Sequence, residues 1–225
     1  SVVGLDFPIK KESERHAQQL EFMRKLGFNA LWARECYALK RKLCPDVRFF
    51  LPIQCYDLQQ LEQFMSLIGG VEFDGVSMPI RNLGIPQVIA FMLRFYQMGI
   101  RQVHILGTSK IAVIAASAYM ARHFFDWVSF DATTWRKWAE YARYMNPHDL
   151  KQTRIANDVI IDEKIRIDCG CPFCRDRTFT FIKNLPETER TAFLRGHNWW
   201  VIEAATEDLF RNCGNVMQLK RNLQM

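Results

Sequence analysis

Residues 103–134, VHILGTSKIAVIAASAYMARHFFDWVSFDATT, decide the fold. The stretch opens on a short apolar, β-rich run at 103–106 and closes on another at 127–130. Between them lies a longer segment, 110–123, with helical periodicity. Thr108-Ser109 stand before that segment, as helix-starting residues do. A strand, a helix and a second strand at this spacing read as one βα unit feeding a parallel neighbour. The same rhythm runs back toward the N-terminus. Apolar runs lie at 2–7, 47–53 and 71–78, with helices expected at about 11–26, 58–68 and 86–98. Asp57 precedes one of these helices and Pro86 suits the first turn of another. Gly27, Gly69-Gly70 and Gly99 sit where helices should stop.

Two architectures fit that alternation, a doubly wound open sheet and a (β/α)8 barrel. No G-x-G-x-x-G follows the first strand, which weakens the dinucleotide-binding version. Polar residues cluster instead at strand C-terminal ends: Asp6, Gln54, Asp74, Gly107-Thr108-Ser109 and Asp131. In a barrel those ends share one mouth, where active sites sit. The expected fold class is therefore α/β, a TIM barrel followed by a smaller C-terminal subdomain. Five βα units are too few to close eight strands, and residue 1 is Ser rather than Met, so the expectation is a chain whose N-terminal units are missing. The expected layout is barrel units over 1–138, the C-terminal subdomain with its helices over 139–213, and a tail over 214–225. Within the second part, 159–168 reads as β with Asp162-Glu163 at a turn. Residues 178–183 fit a strand or a helix start, and 188–195 and 198–212 read as two helices.

Composition narrows the class. Of 225 residues, 49% are hydrophobic and 24% charged, so disorder, collagen and coiled coil fail as whole-chain descriptions. No apolar run approaches the roughly 20 residues of a membrane helix, and the opening residues do not read as a secretion signal. The net charge of +6 suits a polyanionic partner without demonstrating one. The densest basic run, Lys40-Arg41-Lys42, reads as solvated surface. Of the seven cysteines, Cys36, Cys44, Cys55 and Cys213 are isolated and read as reduced packing residues. A cytoplasmic, reducing location is expected.

The other three are crowded: Cys169-Gly170-Cys171-Pro172-Phe173-Cys174, followed by His197, gives C-x-C-x2-C-x22-H. Three thiolates and an imidazole form a closed tetrahedral set for one zinc ion, which points to a structural role and makes 139–213 an expected C-terminal zinc-binding subdomain. Gly170 and Pro172 suit the tight turn that lets the sulfurs converge. The plainer alternative is buried cysteines beside an unrelated histidine. His16, His104, His123 and His148 have no partners at ligand spacing.

Three other residues carry chemistry. Asp6, Gln54 and Asp131 each follow an expected buried strand. A carboxylate and an amide together match the N–H groups and the carbonyl of a purine edge. A second carboxylate can act as nucleophile at a sugar carbon, as in retaining glycosyl transfer. Taken singly, each also fits a turn or a helix cap.

Together these pieces resemble the tRNA-guanine transglycosylase family, zinc-containing (β/α)8 enzymes that exchange guanine in nucleic acid for a 7-deazaguanine. Leu5-Asp6-Phe7-Pro8 is similar to the family's L-D-I-P, whose Asp recognises the base, and Pro52-Ile53-Gln54 to its V-Q-G, whose Gln reads the base too. Phe73-Asp74-Gly75 matches its F-D-G, His104-Ile105-Leu106-Gly107 resembles its Y-L-M-G strand, and Phe130-Asp131 matches the F-D of the nucleophile. Cys169, Cys171, Cys174 and His197-Asn198 match its zinc ligands. The separations between Asp6, Gln54, Asp131 and Cys169, 48, 77 and 38 residues, fit its layout. The resemblance covers roughly residues 2–212. It implies Asp131 as nucleophile, Asp6, Gln54 and Gly107 at the substrate, and one structural zinc. It also implies nucleic acid and a free 7-deazaguanine base, such as preQ0, as partners, with a partner protein or homodimer as a further association. Arg136, Lys137, Arg175 and Arg177 are the candidate phosphate contacts.

The chain also departs from the family. It has no Asp-Ser-Gly-Gly segment, the family's general acid/base, and its Gly-Gly-Leu loop appears as Pro79-Ile80-Arg81. The Arg that follows the nucleophile segment has no clear match, although Arg136 is near. These departures resemble the divergent branch that places 7-deazaguanines into DNA, so DNA is the favoured substrate. The alternatives are tRNA as substrate and a non-catalytic nucleic-acid-binding or partner subunit.

Overall fold

The computed structural model describes residues 1–10, 12–80, 83–108, 110–155 and 167–223. Asp162-Glu163, most of the β reading over 159–168, Arg81 and Ser109 lie outside the described residues. The chain packs as two compact units, Ser1–Thr108 with Met120–Asp131, and Ser109–Tyr119 with Ala132–Met225.

The apolar runs become β1 (Val2–Val3), β2 (Phe49–Pro52), β3 (Gly75–Pro79), β4 (Gln102–Leu106) and β5 (Trp127–Phe130). They form one parallel sheet in the order β1-β2-β3-β4-β5. That order never reverses, whereas a doubly wound sheet reverses at its switch point. The connecting helices are α1 (Arg15–Leu43), α2 (Leu58–Leu67), α3 (Ile85–Gln97) and α4 (Ile111–His123).

Register explains the composition of each strand. Leu51, Val76, Val103 and Val128 are successive partners across β2 to β5, and Met78, Ile105 and Phe130 form the next such row. Leu51, Val76, Val103, Met78 and Ile105 are buried. Side chains alternate along a strand, so the intervening rows face the other way. One of those rows is polar: Ser77 pairs with His104, and His104 with Ser129. His104 Nδ1 lies 2.7 Å from Ser129 Oγ. Below it on the same face, the Phe50 and Trp127 rings meet at 5.3 Å. Phe50 reaches across Gly75, where a Cβ would come within 2.6 Å of both its ring and the Gln102 carbonyl.

Local signals mostly act where expected. Asp57 Oδ1 accepts from Gln60 N at 2.8 Å and caps α2. Gly99 follows α3 at φ +82. Gly27 is a correction: it does not end α1, which runs for 29 residues through it. A helical Gly costs about 1 kcal/mol relative to Ala. Burial of Phe22, Leu26, Ala30 and Ala33 along one face offsets that cost. Lys40-Arg41-Lys42 then falls in the last turn, where cations complement the helix dipole.

The second unit holds α5 (Thr134–Glu140), an antiparallel hairpin of β6 (Arg143–Met145) and β7 (Gln152–Arg154), α6 (Phe179–Asn184), α7 (Glu187–Arg211) and α8 (Val216–Leu223). The 178–183 ambiguity resolves as helix: Thr178 Oγ1 accepts from Phe181 N at 3.2 Å and caps α6. The two expected helices at 188–195 and 198–212 are one. Leu194, His197, Asn198, Val201, Ile202 and Leu209 are buried along α7, so packing continues straight through Gly196. The expected tail carries α8. The core of this unit gathers Ala139, Tyr144, Ile155, Ile167, Cys171, Cys174, Ile182 and Leu194.

Candidate functional site

The sheet gathers polar residues at the C-terminal ends of its strands. Beyond β1 and β2, the Gln54 amide Nε2 donates to Asp6 Oδ2. Gln54 Oε1 in turn lies 3.5 Å from Ile9 N. The segment carrying Asp6 is tied to α1 by Asn29, whose Oδ1 accepts from Phe7 N at 2.6 Å and whose Nδ2 donates to Phe7 O at 3.2 Å. Lys25 Nζ adds a 2.5 Å bond to Pro8 O. A carboxylate and an amide are thus held side by side, both half-buried. A cleft of about 690 Å³ lies between the loops after β1 and β2 and the starts of α1, α2 and α3, lined by Glu12, Gln18, Tyr56, Gln60 and Gln87 among others. Neither Asp6 nor Gln54 lines it.

At the ends of β4 and β5, Gly107 N donates to Asp131 Oδ1 at 2.6 Å. The backbone ladder continues past the strands, with Asp131 N on Ile105 O at 3.1 Å and Thr108 N on Asp131 O at 3.0 Å. Gly107 takes φ +75, a region that favours glycine. The structure therefore joins Asp6 to Gln54 and Gly107 to Asp131. The first pair follows β1 and β2, the second β4 and β5, at the same edge of one parallel sheet.

The second unit brings Cys169, Cys171, Cys174 and His197 together, with their ligand atoms all within 4.8 Å of one another. The His197 Nδ1 lies 3.8, 3.3 and 3.2 Å from the three sulfurs in that order. Tetrahedral coordination at zinc bond lengths puts sulfur and nitrogen about 3.6 Å apart. The tautomer is set from behind. His197 Nε2 bonds Met145 O at 2.8 Å, which places the proton on Nε2 and leaves Nδ1 free to ligate. The adjoining Asn198 is buried and makes three bonds: Oδ1 to Met145 N at 2.9 Å, Nδ2 to Arg143 O at 3.0 Å and to Trp135 O at 3.2 Å. Tyr144 stacks on the His197 ring at 4.0 Å and 13°.

The proton chemistry of the cluster fits a cation. A hydrogen bond with Cys174 holds the Cys169 thiol well below its ordinary range. Burial pushes Cys171 up, and the hydrogen bond with Cys169 pushes Cys174 up. Without a positive ion the three sulfurs cannot all ionise together. The cluster can hold one metal ion, and Cys3His is among the donor sets that structural zinc sites use.

The basic candidates are exposed. Arg136 pairs with Glu140 at 3.1 Å, and Glu140 also takes Arg195 at 2.9 Å. Arg177 sits 4.3 Å over the Phe181 ring. Lys137 and Arg175 face solvent. Sequence reasoning missed Asn29 and Tyr144. Asn29 had a usable signal, a polar residue at the helical spacing of Phe22, Leu26 and Ala33. Tyr144 had none, because its hairpin carries no alternation long enough to read. No helix of the described residues is long and apolar enough to cross a membrane.

No family model matches the chain. Over 102 residues it is 30% identical to the tRNA-guanine(15) transglycosylase of Thermococcus kodakarensis, covering 45% of this chain and 15% of the relative. Over 107 residues it is 30% identical to the protein of that name from Pyrococcus abyssi, covering 48% and 16%. Over 73 residues it is 32% identical to the one from Korarchaeum cryptofilum, covering 32% and 11%. The curated relatives are thus tRNA-guanine transglycosylases, and the matched part spans about one sixth or less of their length.

Proposed function

We propose that this relative of the tRNA-guanine transglycosylases exchanges guanine in nucleic acid for a 7-deazaguanine base through a covalent bond to Asp131. The observation that carries the reading is the pairing at one sheet edge: Asp6 with Gln54, and Gly107 with Asp131. The five sequentially ordered parallel strands are read as an arc of a (β/α)8 barrel whose mouth this edge forms. The target guanine would leave the base stack to enter it, at a cost of a few kcal/mol. Asp6 would accept from its N–H groups and Gln54 would donate to its carbonyl.

The Gly107 amide holds one oxygen of Asp131. The other would attack C1′ of the sugar. The C1′–N9 bond breaks, guanine departs with the electron pair and is protonated. The incoming base, preQ0 or a relative, loses its N9 proton and attacks C1′, releasing the Asp131 carboxylate. Two displacements retain configuration. The proton transfers belong in the family to an Asp-Ser-Gly-Gly segment that these 225 residues do not contain, and no residue here is assigned that role.

The relatives' names give tRNA as their substrate, while the departures of this chain favour DNA. Both enter the test. The protein is incubated with each nucleic acid and run on a denaturing gel. A shifted, covalent band with one of them, absent in Asp131→Asn, supports the reading. A band that persists in Asp131→Asn removes the nucleophile assignment. A second reading is a non-catalytic nucleic-acid-binding subunit, which gives native-gel binding and no covalent band with either substrate.

The cluster is proposed to hold zinc, through Cys169, Cys171, Cys174 and His197. Its contribution would be to fix β6, α7 and the cysteine turn as one body. Arg136, Lys137, Arg175 and Arg177 remain the proposed phosphate contacts, each expected to lower the salt dependence of binding when neutralised.

A further inference from the structure

We propose that Tyr144 is a positioning residue of the metal cluster, its hydroxyl donating a hydrogen bond to the Cys169 sulfur when a metal ion is bound. The neighbouring backbone already serves the cluster, since Met145 O accepts from His197 Nε2 at 2.8 Å. Met145 N is in turn held by Asn198 on the same helix as the histidine. The Tyr144 ring is fixed from two sides. It lies flat on His197, at 4.0 Å and 13°, and meets the Phe179 ring edge-on at 5.1 Å and 84°. A ring so held has little freedom to aim its hydroxyl elsewhere.

That hydroxyl is buried and makes no hydrogen bond among the described residues. A buried hydroxyl without a partner is unfavourable, and native folds rarely keep one. Its surroundings are sulfur: Cys171 and Cys174 lie in the same buried cluster as Tyr144, and Cys169 packs against it. Of the four ligand residues, Cys169 alone is not fully buried, and it lines a cleft of about 370 Å³ with His148, Asp168 and Trp200. A metal-bound thiolate keeps lone pairs that accept O–H donors, and such outer partners tune affinity. The hydroxyl would therefore satisfy itself and steady the most accessible ligand in one contact.

The inference rests on the metal reading of the cluster and not on the transglycosylase reading. The protein is loaded with cobalt(II), whose thiolate charge-transfer band reports electron density on sulfur. Tyr144→Phe keeps the ring and removes the donor. Its band should move to lower energy, and its cobalt affinity, by chelator competition, should fall about 10–100-fold. Incorporating 3-fluorotyrosine at position 144, a stronger donor of the same shape, should move the band the other way, a readout that survives if the Phe variant folds poorly. Unmoved bands overturn the proposal, as does lower affinity with an unmoved band, which would show packing alone. If the unaltered protein takes up no cobalt, the metal reading itself fails and this inference fails with it.

Discussion

Gly107 donates its backbone N–H to Asp131 Oδ1 at 2.6 Å, tying the end of β4 to the end of β5. The donor can point there because Gly107 adopts φ +75. An L-residue in that conformation costs about 1–2 kcal/mol, since its Cβ crowds the following carbonyl. Among the described residues, and apart from its own chain neighbours, no atom stands within 4 Å of a Cβ placed at Gly107, so the cost is backbone strain rather than a clash. Gly107→Ala should therefore lower stability by about 1–2 kcal/mol, read from urea midpoints, and slow adduct formation by turning the amide away from Asp131. Unchanged stability and unchanged adduct yield would show that the turn tolerates a side chain and that the amide contact is incidental.

Asn29 offers a second test at the other pair. Its side chain bonds both backbone groups of Phe7, and it is buried in α1. Asn29→Leu keeps the size of the side chain and strands an N–H and a carbonyl. Each unpaired group costs about 1–3 kcal/mol where burial keeps water out. Phe7 is partly open to water, so the two groups together are expected to cost about 1–3 kcal/mol, with weaker base binding because the Asp6 segment loses its tether. Binding of free base by calorimetry checks it, and full affinity in a destabilised variant would place Asn29 in the fold alone.

These two tests also show how far the sequence reaches. Asp6, Gln54 and Asp131 were legible because each ends a short apolar run, and a parallel sheet puts such ends on one edge. The Cys3His cluster was legible because three cysteines within six residues are too crowded for ordinary core packing. The length of α1 was not, since Gly27 carries a stop signal that packing of Phe22, Leu26, Ala30 and Ala33 overrides. Nor was the joining of two helices into α7, because Gly196-His197-Asn198 reads as a break until its neighbours are seen to be buried. The β6–β7 hairpin escaped altogether: three residues a strand give no period. Tertiary context supplied what local pattern lacked in each case.

Gly75 tests the sheet itself. A Cβ there would meet the Gln102 carbonyl and the Phe50 ring, both at 2.6 Å. The carbonyl belongs to the neighbouring strand and cannot swing aside as a side chain tip can. Gly75→Ala should therefore cost about 1–3 kcal/mol, the usual range for overpacking. It should also part the Phe50 and Trp127 rings, changing Trp127 fluorescence. A stable variant with unaltered emission would mean that β3 shifts freely, contrary to its pairing with β2 over 75–77 and with β4 over 76–79.

The metal cluster gives the pH test, and its sign follows from the sulfurs. Burial keeps Cys171 protonated above its usual range, and the hydrogen bond with Cys169 does the same for Cys174. Cys169 is shifted the opposite way, toward the thiolate, by its hydrogen bond with Cys174. A metal ion binds thiolates, so loading the cluster must expel the protons of Cys171 and Cys174. Proton release on binding means affinity rises with pH and falls on acidification. Near neutrality the logarithm of the association constant should climb by about two per pH unit, one for each thiol proton lost. Zinc titrations by calorimetry in buffers of different ionisation enthalpy count those protons directly. Release close to two, with stoichiometric metal lost on acidification and regained on neutralising, is the expected result. Release near three would show Cys169 protonated before binding. No release at all would mean that the sulfurs are not the ligands. Cys171→Ser should bind zinc far more weakly and release fewer protons, because it removes both a buried thiol and one of four donors.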